Sequence, residues 1–245
     1  MMNINTNYAS SFAANAAKQT SRALDSSIEK LSSGSRINFA RDDAAGQAVA
    51  TRLSAESKSL SIASRNAADA QSMVDTAEGA LQESHTVLLR MRELAVQSSN
   101  GTLQSADRSA IDAEFQQLEA EVNRIANNTK WAGTALLSGA AVTFQVGTGN
   151  TSNDRITVTL PTASGTNLGI STLAANTVTT AQAAITGIDS AIAKVSEMRG
   201  KLGAVSNRLS NTIANLDQVN VNLSASKGRI QDTDFASETS ELARN

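Results

Sequence analysis

The chain has 245 residues, with 21 lysines and arginines against 23 acidic side chains and a formal net charge of −2. No basic excess exists to displace counterions, which argues against a nucleic-acid binder. With no cysteine and a single histidine, His85, disulfides, thiolate metal sites, cysteine nucleophiles and any site needing two imidazoles are excluded. No catalytic, cofactor or metal constellation is expected, and the chain is not read as an enzyme. The apolar fraction is 40%, but alanine supplies 41 residues of it and aromatics make up only 3%. Alanine buries one methyl, so this composition suits long helices packed at close range better than a bulky globular core. The polar opening Met1–Asn7 lacks the basic and apolar regions of a signal peptide. No run of about 18 apolar residues occurs, so no membrane insertion is expected.

In chain order, residues 1–41 carry a small apolar face, with Phe12, Ala13, Ala16, Ala17, Leu24, Ile28 and Leu31 at helical spacing. A long helix is expected from Asp42 or Asp43 to about Ser99. Its stripe reads Val49, Leu53, Glu56, Leu60, Ala63, Ala67, Ala70, Val74, Ala77, Leu81, Ser84, Leu88, Met91 and Ala95. At 1.5 Å per residue this predicts a rod of roughly 85 Å. Asp42 and Asp43 suit helix capping better than a metal pair, and Glu56 is the one charge on the stripe. Asn100-Gly101 is a stop signal. A second helix is expected over 105–128, capped by Ser105 and striped by Ile111, Phe115, Leu118, Val122 and Ile125.

Residues 131–178 change character. Alternation in Val142–Val146 and Ile156–Leu160, joined by the turn-rich 147–154, predicts a β-hairpin, with Pro161 placed harmlessly after it. A third helix over 181–230 carries the longest stripe, from Ile185 and Ile188 to Leu223 and Ile230, with a mean spacing near 3.5 residues. Phe235, Thr239 and Leu242 start a fresh helix in 231–245. The expected fold is mainly α: an elongated antiparallel α-helical coiled-coil-like bundle with a small β-hairpin region at one end.

Four motifs then carry a resemblance. Leu31–Asn38 with Arg41–Ala48, Arg90-Met91-Arg92-Glu93-Leu94-Ala95-Val96-Gln97, Leu202–Arg208, and Ser226–Phe235 occur in the order and setting found in bacterial flagellins. The resemblance covers nearly the whole chain. It implies a structural subunit that self-assembles into the flagellar filament for motility. Residues 1–41 and 231–245 would belong to its inner tube, and residues 42–230 to the surrounding rod. The short 131–178 region leaves no room for outer domains, so the chain resembles a minimal flagellin. The family continues beyond the position of Asn245 as a further apolar-striped helix. The expectation is therefore that the chain as written does not polymerise into a normal filament.

The resemblance also implies export through the flagellum's own type III channel without a cleaved signal, hence an extracellular location. Implied partners are further copies of the chain, an export chaperone, and the cap and junction proteins. The vertebrate Toll-like receptor for flagellin is another, because Arg90, Leu94, Ile111 and Glu114 match the patch that it recognises in some family members. Helical spacing places Arg90 with Leu94, and Ile111 with Glu114, on shared faces. The patch reading takes Leu94 as exposed; the alternative packs it inside. A hook–filament junction protein and a flagellin-like adhesin binding polysaccharide through loops 147–155 and 162–178 are the alternative functions.

Overall fold

The computed structural model describes residues 7–244. The polar opening on which the signal-peptide expectation rests lies almost wholly outside them. The chain divides into two compact units, Met1–Ser59 with Gln218–Asn245, and Leu60–Asp217.

The first unit contains α1 (Tyr8–Ser33), the beginning of α2 (Ala44–Ser98), the end of α5 (Val178–Gln231) and α6 (Phe235–Arg244). The Asn7 side chain caps α1 by accepting from the Ser10 amide at 3.0 Å, and Gly34 ends it in the left-handed region at φ 69°. The backbone then pairs with the segment before α6. The Arg36 amide donates to Gln231 O at 2.7 Å and the Thr233 amide to Gly34 O at 3.0 Å. The Arg36 guanidinium donates to Ile230 O at 2.7 Å. Two motifs singled out from the sequence, near 34–38 and 229–235, are thus halves of one hydrogen-bonded junction. α1 also packs on α6, where Lys30 meets Glu238 at 3.5 Å and Ser27 and Glu238 are buried.

Only one of the paired aspartates caps α2. Asp43 accepts from the Gly46 amide at 2.8 Å, whereas Asp42 closes the preceding turn by accepting from the Asn38 and Phe39 amides. The Phe39 amide above all holds the Asp42 carboxyl below its ordinary value. The early stripe of α2 also lies elsewhere than expected. Val49 and Glu56 face outward, while Ala50 is buried and Ser57 donates to Asn220 Oδ1 at 2.5 Å. The inner face there is small and polar, so a search for large apolar residues slips by one position.

The second unit is built from the rest of α2, α3 (Ser105–Asn128), the first part of α5, and two antiparallel hairpins. Ala181, Ile188, Val195, Leu202, Leu209 and Leu216 recur every seven residues along α5 and are all buried. The facing row on α2 is Leu60, Ala63, Ala67, Ala70, Val74, Ala77, Leu81, Leu88, Met91 and Ala95, all buried. Small side chains on one helix and large ones on the other permit close packing at heptad spacing. Hydrogen bonds and ion pairs on the rim fix an antiparallel register: Ser64 with Asp217, Gln71 with Ser210, Asp75 with Ser206, Arg92 with Asp189. α3 adds Phe115, Val122 and Ala126 to the core, with Ile111, Leu118 and Ile125 half-buried beside them. Its N-cap is Gln104, one residue before the expected Ser105.

β1 (Lys130–Trp131) and β2 (Thr134–Ala135) form a hairpin that the sequence reading missed. Its two-residue turn has Ala132 at φ 46° and Gly133 at φ 86°, the backbone of a type I′ turn with alanine where asparagine or glycine is usual. β3 (Ala141–Gln145) and β4 (Arg155–Thr159) form the expected hairpin, each starting one residue early. Ile156 and Val158 point into the core, and Thr143 and Thr157 hydrogen-bond on the outer face at 3.0 Å. The connecting loop folds around Asp154, which accepts from the Thr151 hydroxyl at 2.6 Å and the Thr151 amide at 3.0 Å. A Cβ on Gly147 or Gly149 would collide with that carboxylate.

Donation from Thr151 holds the Asp154 carboxyl below its ordinary value. Its contribution to the loop is therefore full above the unfolded-state aspartate pKa and is lost as pH falls through the lowered folded value. An NMR titration should show the loop 147–154 keeping its native shifts through the ordinary aspartate range and losing them only below it. Asp154→Asn should abolish that step.

From Leu160 to Thr177 the chain is packed rather than free. Leu160, Ala163, Leu168 of α4 (Gly165–Leu168), Ile170 and Ala175 are buried. The Ala175 amide donates to Asp112, Gln116 donates to Leu173 O at 3.1 Å, and Ser98 bonds to Ala175 O.

Candidate partner-binding surface

In the second unit, α2 and α3 lie side by side and present one connected group of charges. Arg90 on α2 donates through Nε and Nη2 to Glu114 Oε1 on α3, at 3.1 and 2.9 Å. Its Nη1 donates to Glu93 Oε2 at 2.9 Å, one turn further along α2. Glu114 first, then Glu93, raises the Arg90 pKa, so the guanidinium is charged at every physiological pH. Both ends of the main pair are about half exposed, at 51% and 48%, so solvent screens it and its worth is positional rather than energetic. Nε, Nη1 and Nη2 are each engaged within the chain, which fixes the guanidinium between the two helices.

Leu94 is not part of that exposed face. It is 2% exposed and belongs to the core with Leu88, Met91 and Ala95. The seam on this part of α2 is wide enough to take in Leu94 as well as Ala95, because α3 covers the flank that a two-helix pair would leave open. Ile111 is half-buried against the same core. The four residues singled out from the sequence therefore come together on adjoining helices, with Arg90 and Glu114 at the surface and Leu94 and Ile111 supporting it.

The exposed apolar residues here are two that the sequence reading did not single out. Leu89 and Val96 are 43% and 47% exposed and lie two turns apart on α2. With Arg92, Glu93 and Gln97 they line an open groove of about 520 Å³. Arg92 is anchored to Asp189 on α5 at 2.6 Å, and that contact raises its pKa. The available signal was negative: Leu89 and Val96 are large apolar residues that fall off the Leu81, Leu88, Ala95 stripe.

His85 is half-buried in α2. Among the described residues no group of three or more histidines, cysteines, aspartates or glutamates is placed to hold a metal ion. Among them, too, no helix is long and apolar enough to cross a membrane.

Comparisons with known proteins agree over both halves of the chain. Residues 4–142 match the bacterial flagellin N-terminal helical region, and residues 185–245 match the bacterial flagellin C-terminal helical region. A flagellin of Halalkalibacterium halodurans is 46% identical over 220 residues, covering 89% of this chain and 80% of its own. A flagellin of Bacillus subtilis is 37% identical over 278 residues, covering 100% of this chain and 91% of its own. The crystal structure of Bacillus cereus flagellin superposes with a TM-score of 0.56 at 32% identity, covering 62% of this chain and 88% of that one. A putative flagellar hook-associated protein from Vibrio parahaemolyticus shares the fold at a TM-score of 0.66, but at 16% identity, which speaks for the fold alone and does not favour the junction-protein reading. Heptad-spaced helices, paired terminal motifs and two matched family regions converge: the chain belongs to the bacterial flagellins, the structural subunits of the flagellar filament, which lies outside the cell.

Proposed function

We propose that the α2–α3 surface around Arg90 and Glu114 is where this filament subunit meets its partners. In the filament it is covered by a neighbouring copy of the chain. In the free subunit it is open to the vertebrate Toll-like receptor for flagellin. The observation that carries this reading is a fixed, half-exposed guanidinium joined through Glu93 to the apolar Leu89–Val96 groove that Glu93 helps to line. Apolar anchors beside a pre-positioned arginine are what binding hot spots are made of. Leu94 and Ile111 act from beneath by holding α2 and α3 at the distance that the Arg90–Glu114 contact requires.

Residues 1–41 and 231–245 serve the inner tube of the filament, and residues 42–230 the surrounding rod. The subunit leaves the cell through the flagellar type III channel without a cleaved signal, and on that route it meets an export chaperone and the cap and junction proteins.

Arg90→Ala and Glu114→Ala test the surface without touching the core. Each is expected to weaken receptor signalling by about tenfold or more while leaving the melting temperature nearly unchanged. Unchanged signalling by both variants would remove the patch from the recognised surface. A control, Lys201→Ala on α5, where the lysine pairs with Glu197, should have no effect.

A further inference from the structure

The turn between α2 and α3 holds a second kind of site, defined by chemistry rather than docking. We propose that Asn100 is a site of spontaneous deamidation in the folded protein, proceeding through a cyclic imide with Gly101. Asn100-Gly101 is the only asparagine–glycine step in the chain. Imide closure requires the amide nitrogen of the following residue to reach the asparagine Cγ, and a side chain on that residue obstructs the approach. Most other asparagines lie inside α1, α2, α3 and α5, where the backbone is locked away from that geometry. Those in turns, such as Asn38, Asn150 and Asn176, precede residues that carry a Cβ.

Three features of the turn favour the reaction. Asn100 Oδ1 accepts from the Thr102 amide at 3.1 Å, which turns the side chain toward the backbone that follows it and polarises the Cγ carbonyl. The Arg108 guanidinium donates to Asn100 O at 2.9 Å and to Ser98 O at 3.1 Å. Its charge draws electrons from the Asn100–Gly101 peptide and makes the Gly101 amide proton easier to lose. Finally, no hydrogen bond to a described residue occupies the Gly101 amide, and the space around its Cα is open.

In the reaction, the Gly101 nitrogen gives its proton to solvent hydroxide and attacks Cγ. The new C–N bond closes a five-membered imide, the bond from Cγ to the side-chain nitrogen breaks, and ammonia leaves after taking a proton from water. Water then opens the ring at either carbonyl. One route leaves aspartate; the other leaves isoaspartate, with the main chain rerouted through the side chain. Electrons balance without an oxidant or reductant. Isoaspartate lengthens the backbone at the turn that joins α2 to α3.

The test is peptide mapping by mass spectrometry of the folded chain during incubation at mildly alkaline pH, beside a sample kept unfolded in urea. Deamidation adds about 1 Da, and chromatography separates the two isomers. Asn100 is expected to convert at least about tenfold faster than any other asparagine, and no more slowly folded than in urea. Gly101→Ala, which the open space around Gly101 accommodates, should slow it by about tenfold or more. The proposal is overturned if Asn100 stays intact in the folded chain while it converts in urea, or if another asparagine reacts first.

Discussion

Leu81→Asp is expected to lower stability by more than about 4 kcal/mol, whereas Leu89→Asp, further along the same helix, should change it by less than about 1 kcal/mol. The two leucines differ in where the heptad seam places them. Leu81 is fully buried within the α2, α3 and α5 core, and Leu89 is 43% exposed at the edge of the groove. A carboxylate at position 81 would lose its water and, among apolar neighbours, gain no partner. It must either be protonated or force the helices apart. At position 89 it stays hydrated, so its cost falls on partner binding instead. Denaturant melts of both variants, read with receptor signalling for Leu89→Asp, separate the two effects. Similar melts for both would mean that the seam does not run where the burial pattern puts it.

Phe115→Ala is expected to cost about 3–5 kcal/mol, the second large effect. Phe115 is the largest of the fully buried side chains and the main anchor of α3 in the core. Its removal leaves a cavity that close-packed long helices collapse to fill only in part. α3 should loosen before α2 or α5. Hydrogen exchange would register this as faster exchange in 105–128 under conditions where 181–216 stays protected. Uniform loosening of all three helices would contradict the anchoring role.

The seam of the second unit was legible in the sequence because it is built from large side chains at regular spacing. Ile188, Val195, Leu202 and Leu209 announce themselves, and their alanine counterparts on α2 follow from the same period. The first unit was legible chiefly by motif. Its internal contacts are made by Ser57 with Asn220 and by the Arg36 backbone with Gln231, polar groups without a hydrophobic period. The Lys130–Ala135 hairpin was hidden because its turn carries Ala132 in place of a turn-forming residue. At the candidate surface, the i, i+4 spacing of Arg90 and Leu94 suggested one shared exposed face. A helix packed on two sides buries more of its circumference than a two-helix seam does, and α3 takes Leu94 inside. Leu89 and Val96 were passed over for the converse reason: the stripe was read for what it contains, and exposed apolar residues are defined by what it omits.

The most direct measurement uses the absence of cysteine from the chain. Four single variants along α2, Leu88→Cys, Leu89→Cys, Ala95→Cys and Val96→Cys, place one thiol each at two adjacent pairs of positions. Positions 88 and 95 should react with a thiol reagent at least about a hundredfold more slowly than 89 and 96, since a buried thiol waits for the structure to open. In receptor-bound protein, 89 and 96 should slow as well. Equal rates at neighbouring positions in the free chain would contradict the buried seam, and undiminished labelling of 89 and 96 in the receptor complex would contradict the proposed interface.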